Sequence, residues 1–227
     1  MSFISITNLT KTYNDKTVPV HALKGINLEI GQGEFLSIAG PSGSGKTTLL
    51  NILGGLDSAS SGKVNIGDKT ITNLTKTELT NFRLEHFGFV FQSYNLMPVL
   101  NAAENVDFVL RLKKLPRYKR KEKVEAILNA MGISEYSNHL PSELSGGQQQ
   151  RVAIARALVT KPSLVLADEP TANLDSETAK SLVDIMEEMN RKLNVTFIFS
   201  THDPLVMDRA HRLIRLVDGK IANDKKK

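Results

Sequence analysis

The sequence predicts an α/β fold with a parallel sheet at its centre. Three apolar runs, at residues 34–39, 163–168 and 195–200, have the length and continuity of buried strands, and each leads into a loop with polar or glycine residues. Helical patterns separate the runs, as in βαβ units, where parallel strands bring their loops to one edge of the sheet. The helix before the third run has an apolar stripe formed by Leu182, Val183, Met186, Met189 and Leu193.

The first third of the chain predicts an antiparallel β subdomain. The segments "FISITNLTKTY", "HALKGINLEI" and "SGKVNIGDKTI" are short, alternate partly between apolar and polar residues, and are separated by Gly or Asn. These are the features of strands joined by tight turns.

An α-helical subdomain is predicted to interrupt the core at about residues 98–160. Its segment "KVEAILNAMG" places four apolar residues on one helix face and ends in Gly132, which suits a helix C-cap. The four are Val124, Ile127, Leu128 and Met131. We therefore expect one domain over residues 1–227, with the core and the antiparallel subdomain at about 1–97 and 161–227.

The composition is that of a folded protein without disulfides. The chain has 227 residues, of which 41% are hydrophobic and 23% charged, and it contains no cysteine, which excludes disulfides and thiolate metal sites. The first charged residue after the start is Lys11, and no apolar run approaches the roughly 18 residues of a membrane span. We expect a soluble chain that reaches any membrane through a partner.

The net charge of +5 is concentrated in two segments, "RLKKLPRYKRKEK" and the terminal "DKKK". Such charge would suit nucleic acid, anionic lipid or nucleotide phosphates. Runs of charge are usually solvated, so we interpret these segments as an exposed helix face and a frayed tail. Contact with anionic headgroups or an acidic partner is the alternative.

The segment "GPSGSGKT" predicts a phosphate-binding loop, because it fits G-x-x-x-x-G-K-[ST] and lies between a strand and a helix. Its backbone N–H groups would face the phosphates, Lys46 would reach the β- and γ-phosphates, and the Thr47 hydroxyl would coordinate Mg²⁺. The candidate phosphate-binding residues are Gly40, Ser42, Gly43, Ser44, Gly45, Lys46, Thr47 and Thr48.

Two acids follow the second strand. Asp168 would hold Mg²⁺ through water, and the side chain of Glu169, one residue later, would point differently and polarise an attacking water. Adjacent acids at a strand end also occur as a simple turn with a helix N-cap, which is the structural alternative.

Three further side chains are candidates by position. His202 follows the third strand and would donate to the γ-phosphate, although a lone histidine is more often structural. Gln92 ends "FGFVFQ" and offers an amide to Mg²⁺ or water. Tyr13 would stack on a base, but its spacing alone does not distinguish it from another surface or core aromatic residue.

A second anion site is predicted at "LSGGQQQR", where Ser-Gly-Gly opens directly onto the helical segment "VAIARAL". Free N–H groups and the helix dipole favour negative charge at such a helix start. The candidate residues are Ser145, Gly146, Gly147 and Gln148.

These motifs, together with "NLD" and "STHD", resemble in order the nucleotide-binding subunit of ATP-binding-cassette (ABC) transporters. The resemblance implies a P-loop NTPase fold of the ABC type with a RecA-like core, and an ATPase that uses ATP and Mg²⁺. It implies that Tyr13 stacks on adenine, Glu169 is the general base and Gln92 touches Mg²⁺ and senses the membrane partner. It further implies that His202 contacts the γ-phosphate, while the signature residues and Asp175 act on the nucleotide of a second subunit.

Longer segments such as "LADEPTANLDSET" resemble the bacterial branch of lipoprotein-release, macrolide-export and cell-division ATPases. This resemblance implies a peripheral protein on the cytoplasmic face of the inner membrane, homodimeric with ATP. Its permease would be a separate chain that contacts the segment from Gln92 to Leu100. The alternative is that the apolar residues of this segment pack in the helical subdomain.

Two other functions are considered. The first is a cell-division-type regulator that transports nothing; the second is a soluble ABC ATPase acting on DNA, ribosomes or iron–sulfur assembly. The chain is too short for the coiled coil of the DNA class or the paired cassettes of the ribosome class, so no nucleic-acid partner is expected. A role in iron–sulfur assembly is disfavoured because the chain lacks cysteine. A GTPase is disfavoured because the Asn-Lys-x-Asp tetrapeptide is absent.

Overall fold

The computed structural model describes residues 2–14 and 18–227, which form two sheets and seven α-helices in that part of the chain. The strands are β1 Ile4–Asn14, β2 Pro19–Ile30, β3 Phe35–Ala39, β4 Ser61–Ile66, β5 Lys69–Thr70, β6 Phe87–Val90, β7 Leu164–Asp168, β8 Thr196–Thr201, β9 Arg212–Val217 and β10 Lys220–Lys226. The helices are α1 Lys46–Leu53, α2 Lys76–His86, α3 Ala102–Leu112, α4 Arg117–Ala130, α5 Gly146–Leu158, α6 Ser176–Leu193 and α7 Pro204–Arg209.

The central sheet has six strands in the order β10-β9-β3-β8-β7-β6, parallel except for β10. Its register aligns the ends of the core strands, since Ala39 lies opposite Thr201 and Asp168 opposite Ser200. The loops that follow β3, β7 and β8 therefore leave from one edge. The three predicted strands and the α/β fold class are confirmed.

The two faces of this sheet pack against different hydrophobic clusters. Phe35, Phe197 and Phe199 belong to the cluster that includes α3, α5 and α6, whereas Leu36 and Ile198 belong to the cluster that includes α1 and the antiparallel sheet. This alternation is the period of two expected of a strand that is buried on both faces. It explains why these runs appear continuously apolar.

The antiparallel sheet has the order β2-β1-β4-β5 and contains the predicted N-terminal strands. Its β1–β2 pair places Tyr13 opposite Val20. Both residues line the same cleft as the loop after β3.

Three helices, α3 to α5, lie in sequence between β6 and β7, where the helical pattern was predicted. Val124, Leu128 and Met131 are buried, Ile127 is partly buried, and Gly132 has a φ of +66° just after α4. The stripe of α6 is also confirmed, since four of its residues are buried and Leu193 packs against the same cluster. The extent of a helical subdomain at 98–160 remains a prediction.

The prediction of a frayed tail is wrong. The terminal basic residues form β10, which pairs with β9 through residue 226. Arg212 on β9 joins the tail to the core, because its guanidinium donates to Asp224 Oδ2 at 2.7 Å and to Glu34 Oε2 at 2.8 Å. Helix α2, which follows the predicted antiparallel segments, was not predicted.

Within residues 2–14 and 18–227, no helix combines the length and the apolar character that crossing a membrane requires.

Candidate active site

The loop between β3 and α1 has the backbone form of a phosphate site. Gly45, which caps α1, has a φ of +100°, and a Cβ there would lie 2.5 Å from the Ala22 carbonyl oxygen, so glycine is required. The Lys46 ammonium donates to the carbonyls of Gly40 at 2.8 Å and Pro41 at 3.0 Å. The loop thus presents a cation and a helix N-terminus to the same space.

A cleft of ≈ 660 Å³ opens above this loop. Most of the sequence-predicted residues line it, namely Tyr13, Gly40, Ser42, Gly43, Ser44, Gly45, Lys46, Thr47, Thr48, Gln92, Glu169 and His202. The structure adds residues that sequence reasoning missed, namely Val20, His21, Ala22 and Pro41. The pairing of Tyr13 with Val20 across the β1–β2 hairpin would have pointed to the β2 residues.

The polar atoms of the cleft fit a nucleotide phosphate and Mg²⁺. The Ser44 hydroxyl is buried without a hydrogen-bond partner among the described residues. The Thr47 hydroxyl lies 3.4 Å from Asp168 Oδ1, which gives the oxygen donors that Mg²⁺ prefers. The described residues hold no group of three or more His, Cys, Asp or Glu side chains arranged for a metal.

Glu169 is held in an unusual backbone conformation. Its φ is +46°, and its N–H donates to the Ser200 carbonyl at 2.8 Å. The Thr201 hydroxyl donates to Oε2 at 3.0 Å, while His202 Nδ1 lies 2.7 Å from Oε1. The carboxylate is mostly buried and the His202 ring is 76% exposed. Glu169 and His202 thus form a pair at the mouth of the cleft, with the second ring nitrogen of His202 left for another partner.

Tyr13 is half-exposed and held by its neighbours. Its hydroxyl donates to Asp57 Oδ2 at 2.7 Å, and the Lys11 ammonium lies 4.7 Å from the centre of its ring. Burial, together with the hydrogen bond to Asp57, raises the pKa of Tyr13 above its ordinary value.

The signature segment lies outside this cleft. Ser145 caps α5, since its hydroxyl accepts from the Gln148 N–H at 3.3 Å while the Gln148 side chain accepts from the Ser145 N–H at 2.8 Å. A Cβ at Gly147 would lie 2.5 Å from Thr178 Cγ2 on α6, so this glycine has a packing role within the chain. None of Ser145, Gly146, Gly147 or Gln148 lines the cleft around Lys46.

Asp175 caps α6 beside this segment. Its carboxylate accepts from the N–H groups of Glu177 at 3.1 Å and Thr178 at 2.9 Å, and hydrogen bonding to Thr178 lowers the pKa of Asp175. Because Thr178 also contacts Gly147, the starts of α5 and α6 form one polar edge that is separate from the phosphate loop.

The segment after Gln92 borders an apolar groove of ≈ 380 Å³ that is lined by residues of β6, α2, α3 and α5. Phe89, Phe91, Val109 and Leu112 are among the residues lining it, and Leu112 is 51% exposed. Within the segment, Leu96 packs against the core cluster whereas Val99 is 81% exposed. Leu96 thus packs inward and Val99 faces solvent, while contact of this segment with a permease remains a prediction.

Comparison with known proteins identifies the family of the chain. Residues 23–172 match the family model described as ABC transporter. The chain is 46% identical over 218 residues to the lipoprotein-releasing system ATP-binding protein LolD of Pseudoalteromonas translucida, covering 96% of this chain and 94% of that protein. It is 42% identical to the bacitracin export ATP-binding protein BceA of Halalkalibacterium halodurans, with 97% and 87% covered.

One solved structure is similar to this chain over nearly the full length of both chains. It is a dimeric post-hydrolysis state of the ATP-binding cassette MJ0796, from Methanocaldococcus jannaschii, bound to ADP and Pi. It superposes with a TM-score of 0.91 at 42% identity and covers 98% of each chain.

Proposed function

Because the chain belongs to the ABC transporter family and is an ATP-binding ATPase, we propose that it powers an export or lipoprotein-release complex through a separate permease. One observation carries the proposal: the phosphate loop, Asp168, Glu169 and His202 meet at a single edge of the central sheet. Strand ends at this edge are where α/β proteins bind ligands.

The residues of the cleft support a mechanism for ATP hydrolysis. The loop N–H groups and Lys46 bind and orient the phosphates, and Glu169 accepts a proton from the attacking water. His202 pairs with the Glu169 carboxylate through Nδ1–H, and donation from Nε2 to the γ-phosphate would require the imidazolium, which carries a proton on both ring nitrogens. Mg²⁺, held by Thr47 and Asp168 with Gln92 nearby, would neutralise charge on the phosphate oxygens.

The placement of the signature supports a dimer. Ser145 and its neighbours form an anion-binding helix start apart from the Lys46 cleft, so one chain holds two half-sites. We infer that two copies close in ATP, so that Ser145, Gly146, Gly147, Gln148 and Asp175 of each meet the nucleotide of the other, and reopen after hydrolysis.

The apolar groove supports contact with a permease. Its aromatic wall and exposed Leu112, with the exposed Val99 on the segment that borders the groove, suit an amphipathic segment of a membrane protein. Such a contact would place the chain on the cytoplasmic face of the membrane. The relatives are named for lipoprotein release and bacitracin export, and this favours transport over a purely regulatory function.

The test combines hydrolysis with capture of the partner. Tagged protein isolated from its native membranes should recover a multi-span protein and hydrolyse ATP, whereas Lys46→Ala should recover the same partner but lose nucleotide affinity. The control Lys76→Ala changes an exposed lysine at the start of α2, outside the phosphate cleft. Recovery of no membrane protein would contradict the transporter proposal, and unchanged ATP binding by Lys46→Ala would contradict the site.

A further inference from the structure

We propose that Lys11 and Asp57 form a clamp that positions Tyr13 as the platform for the nucleotide base. This inference rests on the proposed function, because it requires that the base lies against Tyr13. It assigns a positioning role to two residues that lie behind the cleft wall rather than in the phosphate loop.

The clamp is a closed hydrogen-bonded unit. The two oxygens of the Asp57 carboxylate divide their partners, since Oδ2 accepts from the Tyr13 hydroxyl at 2.7 Å and Oδ1 accepts from the Lys11 ammonium at 2.7 Å. The Ser58 N–H also donates to Oδ1 at 2.7 Å, and Lys11 donates to the Ser58 carbonyl at 2.7 Å. Neither the carboxylate nor the ammonium can turn away without breaking several bonds.

The carboxylate of the clamp keeps its charge despite burial. Lys11 is only 8% exposed, which costs desolvation energy unless the ammonium is paired. Burial alone would raise the pKa of Asp57, but hydrogen bonds from Lys11 and Tyr13 lower it below its ordinary value. Asp57 therefore stays ionised and remains a strong acceptor for the Tyr13 hydroxyl.

The clamp leaves the tyrosine available to a ligand while fixing its orientation. Lys11 and Tyr13 are two residues apart on β1 and so project from the same face of the strand. The Lys11 ammonium, 4.7 Å from the ring centre, lies over the ring, and the ring still forms part of the cleft wall. A ring that is already fixed loses little entropy when a base stacks on it.

Asp57 also ties this platform to the phosphate loop. The N–H groups of Leu56 and Asp57 donate to the Asn51 carbonyl of α1 at 2.7 and 3.2 Å. Helix α1 begins at Lys46, so one rigid helix carries the phosphate loop at its start and the tyrosine anchor just beyond its end. The spacing between the Tyr13 ring and the phosphate loop is thereby set by the fold.

The experiment compares a ligand that has a base with one that has none. Asp57→Ala should weaken ATP binding about tenfold, the effect of one charged hydrogen bond, and leave binding of inorganic triphosphate unchanged. Lys11→Met should act in the same direction. Asp107→Ala is the matched control, because Asp107 is a similarly enclosed carboxylate that pairs with Arg111 and Arg120 away from the cleft.

Two further variants separate the possible failures. Tyr13→Phe keeps the ring but removes the anchored hydroxyl and should reproduce part of the loss, even if Asp57→Ala folds poorly. In a Tyr13→Ala background, Asp57→Ala should have no further effect on ATP affinity. The clamp would be overturned if Asp57→Ala weakened the binding of ATP and of triphosphate equally. It would also be overturned if folded Asp57→Ala and Tyr13→Phe weakened the binding of neither ligand. If Tyr13→Ala binds ATP normally, the base platform itself is wrong, whereas failure of Lys46→Ala to weaken either ligand would contradict the proposed function.

Discussion

At the scale of single residues, Glu169 has a strained backbone that its neighbours hold in place. A non-glycine residue with a φ of +46° costs about 1–2 kcal/mol. This conformation persists because the Ser200 carbonyl and the Thr201 hydroxyl hold both ends of the residue. Strain retained beside a phosphate loop, with His202 bonded to the same carboxylate, is typical of a functional position.

Glu169→Gln should bind ATP normally but hydrolyse it about 10²- to 10⁴-fold more slowly, because the amide cannot accept the proton of the attacking water. The measurement is steady-state phosphate release together with the affinity for ATP. Glu135→Gln makes the same chemical change at an exposed site in the helical part of the chain and should leave both unchanged. Normal turnover by Glu169→Gln would remove this residue from the role of base.

The residue types of the cleft could be predicted because short motifs carry them, but their mutual contacts could not. The pairing of His202 with Glu169 depends on the alignment of two strand ends that are 33 residues apart in sequence. The contact between Gly147 and Thr178, and the anchoring of Tyr13 by Asp57, likewise join segments that no local pattern connects.

At the scale of elements, buried strands and amphipathic helices were predictable, whereas two elements that depend on their neighbours were missed. Helix α2 has no buried residue, so its apolar periodicity is weak, although its capping box of Thr75 and Glu78 was a usable signal. Strand β10 is a charged edge strand, and pairing with β9 rather than hydropathy determines its conformation.

Asn105 on α3 is the internal support of the segment that borders the groove. It is fully buried, its Oδ1 accepts from the Met97 N–H at 2.8 Å, and its Nδ2 lies 2.8 Å from the Leu100 carbonyl. Asn105→Ala should cost about 1–3 kcal/mol, because these backbone groups lose their partner, and should speed hydrogen exchange of the Met97 amide. Val106→Ala is the control, because it should destabilise the same helix without a selective increase in hydrogen exchange of the Met97 amide. Equal loss of Met97 protection in both variants would contradict the assignment.

The Arg212 cluster predicts a pH dependence of stability. Burial is the largest single effect on Glu34 and raises its pKa, but the hydrogen bonds from Arg212 and the Gly31 N–H, together with the charges of Arg212 and Lys226, bring the pKa below its ordinary value. The same guanidinium lowers the pKa of Asp224. Carboxyl groups whose folded-state pKa is lowered stabilise fully above their unfolded pKa of about 4, and lose this contribution as the pH falls through the folded-state value.

Arg212→Met should therefore lower the free energy of unfolding by about 1–3 kcal/mol at pH 7, with the difference from the unmodified protein shrinking below about pH 4. Denaturant titrations at several pH values measure it. Arg209→Met removes more exposed ion pairs, to Asp184 and Glu187, and should cost about 1 kcal/mol or less. A pH-independent loss for Arg212→Met would show that the carboxylates do not depend on this arginine.

At the scale of the whole molecule, the phosphate cleft and the signature edge are separate surfaces of one chain, and we propose that each is half of a nucleotide site. The fold itself keeps them apart, since the first lies at the end of β3 and the second at the start of α5. Neither half supplies the groups of the other, so the proposed ATP-bound dimer joins the Lys46 loop of one copy to Ser145 of its partner. This arrangement predicts that two different inactive variants can complement each other.

Nucleotide retention in a slow-hydrolysing Glu169→Gln background tests this prediction. Ser145→Arg should block the signature half-site by bulk and charge while sparing ATP binding by the monomer, and Lys46→Ala should disable the phosphate half-site. Neither variant should form an ATP-retaining dimer alone, but a mixture of the two should, because one composite site then combines an intact Lys46 with an intact Ser145. Ser145→Ala, which loses the cap at a cost of about 1 kcal/mol without adding bulk, controls for fraying of α5. Retention by Ser145→Arg alone, or none by the mixture, would contradict the composite site.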